Sequence, residues 1–221
     1  MKILLGYLLI IVFELLILPT EQWLHDNLEN KEIARKWGHF LSGTILWMVS
    51  YIFLKDTIHV PIVALLYMIA SVACDQMELI ADKREDSSMN NRKGTFLMGW
   101  GYFTLSVMAY TMPLGWLYYG LGISSLCVGD AVAALVGVKF KNCKLNLKFP
   151  NKKSIFGAVS FAYASLIAMC IVCLIMEFNP LLILPQLFIL SKVGAIIELV
   201  SGDYDNLSIP VLVASLAVVI I

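Results

Sequence analysis

Long apolar runs broken by short charged gaps leave this chain few folds to choose from. Of its 16 lysines and arginines, 13 fall in three of those gaps, at 20–38, 81–94 and 139–154. Hydrocarbon offers no water to the backbone, so a run of this kind must be a helix that satisfies its own N–H and C=O groups. Charged residues make up 14% of the chain, against about 25% in soluble domains. The expectation is an all-α, polytopic transmembrane helical bundle, a single integral membrane domain over residues 1–221. Membrane lipids are its surroundings, no nucleic-acid partner is expected, and the oligomeric state stays open.

A span needs roughly 20 apolar residues, with about 17 as the lower limit. Runs at 3–19, 39–54, 60–80, 95–112, 114–138, 155–176, 180–200 and 207–221 predict about seven to eight spans, the first, second and last of them short. The gaps then alternate in charge. The odd-numbered ones carry Lys31, Arg35 and Lys36; Lys83, Arg84, Arg92 and Lys93; and Lys139, Lys141, Lys144, Lys148, Lys152 and Lys153. The other side carries Lys2 and Lys55, and Lys192 falls inside a span. Basic loops stay in the cytoplasm, which puts both termini outside. Five scattered cysteines, three of them within or near spans, read as free thiols that pack rather than as a disulfide framework.

Within the largest basic gap, VKFKNCKLNLKF alternates apolar and polar residues on both sides of Asn142-Cys143. Period-two patterning across a two-residue gap predicts a small β-hairpin at 138–149. A loop drawn to anionic headgroups accounts equally well for its lysines.

Asp130 is the residue hardest to place without a function. It interrupts the apolar run 114–138, where a carboxylate costs about 3 kcal/mol unless it meets a cation, a metal or water. Gly129, Ala133 and Gly137 repeat every fourth residue around it, the spacing that lets another helix approach closely. Further on, PNKKSIFG places Lys152, Lys153 and Ser154 at the entry to the next span, with Gly157 following. Two ammonium groups, a hydroxyl and the N–H groups of a helix start can cradle phosphate, although lysines at a helix end are also ordinary topology anchors. Upstream, ARKWGHFLSG sets Arg35 and His39 four residues apart, with Ser42 and Gly43 on the same face. Arg92, Lys93, Gly94 and Thr95 repeat the pattern at another span entry. Near the end, Glu198, Asp203, Asp205 and Asn206 cluster where the seventh run stops. Hard oxygen ligands of this type suit Mg²⁺, and an Asx-type turn explains Asp203 and Asn206 equally well.

Taken in order, RKWGHFLSG, RKGT, GDAVAALVG, KKSIFG and Glu198 followed by DNLSIP resemble the CTP-dependent lipid-alcohol kinases, the family of dolichol kinase, phytol kinase and the CTP-dependent diacylglycerol kinase. The resemblance runs from about Arg35 to Pro210 and fits a compact, prokaryotic-like member. It implies transfer of the γ-phosphoryl group of CTP, or another nucleoside triphosphate, to the hydroxyl of a polyprenol, phytol or diacylglycerol. On that reading Asp130, Glu198 and Asp205 hold Mg²⁺. Arg35, Lys36, Arg92, Lys93, Gly129, Lys152, Lys153, Ser154, Gly157 and Asn206 bind the nucleotide, and Asp130, His39 and Lys153 act in catalysis. Phosphatidate cytidylyltransferases also use CTP, but their closing acidic signature is missing here. An ion-coupled secondary transporter, with Asp75, Glu78, Asp130 and Glu198 as its path, is the alternative from a different class.

Overall fold

The computed structural model describes residues 1–28, 31–76, 89–140 and 153–221, without the side chains at 31–32, 74–76, 89–93 and 203. The described elements are helical: α1 (Lys2–Asn27), α2 (Lys31–Leu54), α3 (His59–Gln76), α4 (Met89–Thr111), α5 (Gly115–Ser124), a π turn (Ser125–Asp130), α6 (Ala131–Lys139), α7 (Ile155–Ile175), α8 (Leu184–Ser201) and α9 (Asp205–Ile220). Five helical stretches, Lys2–Asn27, Ile33–Leu54, Gly115–Lys139, Ile155–Ile175 and Pro180–Ser201, are long and apolar enough to cross a membrane. His59–Ala73 and Asp205–Ile220 are shorter apolar helices. Their outer faces agree with hydrocarbon: Leu4, Leu15, Tyr163, Ile167 and Leu174 are each more than 60% exposed. Contiguous apolar surface of this kind needs lipid, not water, around it. The chain is an all-α, membrane-embedded bundle.

The helices outrun the apolar runs that mark them. α1 continues through Glu21, Gln22 and Asp26 to Asn27, and α2 begins at Lys31, so that Arg35 and Lys36 are helical. Hydropathy measures the stretch in hydrocarbon, whereas a helix extends into the polar interface as long as its own hydrogen bonds hold. Val138 and Lys139 close α6 as helix, so the strand expected from 138 does not begin there. The remainder of that hairpin, from 141 onward, lies outside the described residues.

Two glycines set sharp junctions. At the α4–α5 turn, Leu114 takes a left-handed conformation at φ 56°, and a Cβ on Gly115 would stand 2.2 Å from the Met108 carbonyl oxygen. Gly202, at φ 57°, ends α8 in the left-handed region, where glycine carries no steric cost. One apolar cluster runs through the centre, including Trp47, Tyr102, Leu121, Phe161, Leu187 and Val213.

α5, the π turn and α6 form one rod through this core, and α5 is buried along its whole length. Ser124 and Ser125 both hydrogen-bond back to the Leu121 carbonyl, at 3.1 and 3.0 Å. Such back-bonding loosens the helical ladder just ahead of the widened turn. The π turn touches α2, α7, α8 and α9 as well as its own rod. Single π turns recur at functional sites, and this one ends on Asp130.

Candidate functional site

Asp130 and Cys127, three residues apart on the π turn, both face α2. Asp130 Oδ2 accepts a hydrogen bond from Lys36 Nζ, and both side chains are more than nine-tenths buried. Cys127 Sγ contacts the His39 carbonyl at 3.4 Å. α2 comes this close because residue 43 is glycine: a Cβ there would lie 2.3 Å from Cys127 Sγ and 2.4 Å from the Tyr102 hydroxyl. On the other side of the turn, Gly129 packs on Phe161 of α7, Ala133 on Gly157, and Gly137 on Ser154. The small-residue stripe read from sequence is therefore the contact between α6 and α7. Phe161, fully buried, is wedged between Gly129 and Gly194 of α8.

A second charged group forms where α7 begins. Lys153 Nζ lies 2.8 Å from Glu198 Oε1, 2.7 Å from the Glu198 carbonyl oxygen and 3.4 Å from Asp205 Oδ2. Burial works against its charge, but Glu198 and then Asp205 outweigh that effect and hold the Lys153 pKa above the ordinary lysine value. Lys36, Lys153 and His39 all act electrostatically on Asp130. Asn206 Nδ2 donates to the Gly94 carbonyl at 3.1 Å, tying α9 to the first turns of α4. The starts of α2, α4, α7 and α9 thus meet the end of α8 at one end of the bundle, with the π turn just inside.

Several assigned residues have roles the sequence did not show. Ser154 caps α7, its Oγ accepting from the Gly157 N–H at 2.9 Å. The cap takes one of the N–H groups at the start of α7. Lys36, assigned to nucleotide, is the partner of Asp130. Arg35 is half-buried one residue before it. Arg92 and Lys93 fall in the first turns of α4 with side chains outside the description, and Lys152 lies outside the described residues, as does Glu78.

Among the described residues, no group of three carboxylates, imidazoles or thiols is arranged to hold a metal ion. Asp130, Glu198 and Asp205 are instead interleaved with Lys36 and Lys153. Hard oxygen is nevertheless available at the α8–α9 junction. Glu198 Oε2, Ser201 Oγ and Asn206 Oδ1 are buried and lack a hydrogen-bond partner among the described residues, a donor set of the chemistry that Mg²⁺ takes.

Between α1 and α2 lies an apolar groove of about 470 Å³ lined by Pro19, Thr20, Trp23, Leu24, Ile33 and Trp37. Trp23 and Trp37 are 63% and 43% exposed, as expected of tryptophans at a membrane interface. The chain matches no protein-family profile, no curated protein and no solved structure.

Proposed function

We propose that this protein is a CTP-dependent lipid-alcohol kinase, working at the cytoplasmic face of a bundle of seven to eight spans whose termini both lie on the opposite side. The observation that carries the reading is the gathering of Lys36–Asp130 and Lys153–Glu198–Asp205, drawn from α2, the π turn, α7, α8 and α9, at the basic end of the bundle. Phosphoryl transfer needs charge neutralisation and in-line positioning more than covalent help. A cytoplasmic mouth with cations and carboxylates, on a bundle that also carries an apolar groove between α1 and α2, would bring a water-soluble triphosphate and a membrane alcohol together.

In this mechanism Lys153, Arg35, Arg92, Lys93 and Lys152 neutralise the triphosphate. Lys153 is already shared between two acids, so a polyphosphate competes with Glu198 and Asp205 for it and frees their oxygens. Asp130, Glu198 and Asp205 would hold Mg²⁺, which would supply charge neutralisation at the phosphates. The lipid hydroxyl oxygen attacks the γ-phosphorus, the bond to the departing CDP oxygen breaks, and the hydroxyl proton passes to a base. A carboxylate already held by an ammonium is a weak base, which leaves that proton to His39, one turn from Lys36. The tail of the alcohol lies against the groove between Trp23 and Trp37.

Incubating the purified protein with γ-labelled CTP, Mg²⁺ and a panel of polyprenol, phytol and diacylglycerol tests the reading. Label moving into one lipid as a monophosphate supports it. Ion flux without label transfer points to the transporter, and cytidylyl transfer to the other CTP-using class.

A further inference from the structure

Glu14 is a carboxyl group that the proposed mechanism leaves unused. It lies inside the apolar part of α1, five residues or ~7.5 Å from Pro19 at 1.5 Å per residue, near the level where lipid ester groups begin. Gly6, Ile10, Ile17 and His25 mark the buried face of α1, and Glu14 falls on that face by helical spacing. Its Oε2 accepts a hydrogen bond from Ser42 of α2 at 2.8 Å. Its Oε1 is buried with no partner among the described residues, and none of their cations forms an ion pair with it. Tyr67 of α3 adds a third polar group, with its hydroxyl interacting with Ser42 and within electrostatic range of Glu14.

A carboxyl group in hydrocarbon without a cation takes up a proton instead of bearing the charge. Ser42 already donates to Oε2, so the proton belongs on Oε1, and this O–H has no acceptor. A bilayer supplies acceptors of one abundant kind, the ester carbonyls of its lipids. Access is short: Ile11 and Leu15, next to Glu14 along α1, are 54% and 62% exposed to the lipid side. We propose that Glu14, with Ser42 and Tyr67, forms an intramembrane site that binds the carbonyl oxygen of an ester-linked lipid. The site is distinct from the Lys36–Asp130 pair, and Ser42 lies six residues from Lys36, ~9 Å along α2.

Dicyclohexylcarbodiimide, which reacts with protonated carboxyls in apolar surroundings, tests this on the unaltered protein. Labelling of Glu14, read by peptide mass spectrometry, should fall at least fivefold with diacylglycerol and stay unchanged with the dialkyl ether analogue that lacks carbonyls. Equal labelling with both lipids, or no labelling at all, overturns the proposal. Glu14→Leu should also remove the preference for the ester over the ether lipid in native mass spectra, while Glu14→Gln, which keeps a donor, retains it. A Glu14→Leu protein that keeps the preference overturns the proposal as well.

Two sources of the carbonyl are separable. If it belongs to the kinase substrate, Glu14→Leu raises the KM for diacylglycerol about tenfold with the KM for CTP unchanged. If it belongs to a bilayer lipid, phosphatidylcholine protects Glu14 equally and neither KM moves. Protection by ester lipid in a protein that phosphorylates no alcohol keeps this site and removes the kinase reading.

Discussion

The two lysine–carboxylate groups at the basic end of the bundle differ in how far their charge is committed. Lys36 and Asp130 pair with both side chains more than nine-tenths buried, on a π turn held from both sides by glycine contacts. Lys153 serves two acids at once and keeps 21% of its side chain exposed. A buried pair does not exchange partners readily, because breaking it strands a charge in hydrocarbon, and Asp130 keeps only its second oxygen, Oδ1, to offer a ligand. A shared cation at the rim can change partners, since water and ligand phosphate both stabilise the intermediate arrangements. The inner pair is the fixed part of the site and the outer group the exchangeable part.

Removing one half of the inner pair is the harshest test of that contrast. Lys36→Ala leaves Asp130 buried and unpaired, at an expected cost of about 3–5 kcal/mol. Fluorescence-detected size exclusion and thermal unfolding in detergent should show a large loss of folded protein, and adding Asp130→Leu should restore much of it without restoring activity. An unchanged melting temperature for Lys36→Ala would mean that the pair is not a structural element. Asp130→Asn should cost less stability, because a lysine left alone can shed its proton. Label transfer from CTP should nevertheless drop at least ~100-fold, about 2.7 kcal/mol in the barrier.

At the rim the effects are smaller and different in kind. Lys153→Ala should lower stability by about 2–3 kcal/mol, less than Lys36→Ala because Asp205 is partly exposed, although Glu198 is left buried. It should raise the KM for CTP about tenfold. The sign of its pH dependence follows from the raised Lys153 pKa: the bridge is complete below the ordinary lysine value of about 10.4 and lost only as pH rises through the folded value. The stability gap between parent and variant should therefore persist up to about pH 9 and close only in strong alkali. Ser154→Ala, which removes the α7 cap, should cost about 1 kcal/mol with a modest change in KM. A loss of activity as large as that of Asp130→Asn would return Ser154 to the reacting groups.

Much of this arrangement was legible in the chain. Asp130 interrupts an apolar run, and a carboxylate there needs a partner wherever the helices pack. Glu14 interrupts the first run in the same way and carried the same signal. That Lys36, Gly94, Lys153 and Asn206, all at or near the edges of apolar runs, come together agrees with hydropathy, a local sum that reports where a helix leaves the hydrocarbon. The choice among partners is not local. Lys36 and Asp130 are 94 residues apart, and whether Arg35 or Lys36 reaches the carboxylate depends on the rotation of α2 about its axis. That rotation is set by Gly43 against Cys127 and Tyr102. The π turn shifts the phase of every side chain after it, and Ser154 becomes a cap because α7 starts one residue later. Periodicity along one helix places residues on faces; the contact between faces assigns each charge its partner, because ion pairs and hydrogen bonds act over a few ångströms that exist only once the helices have packed.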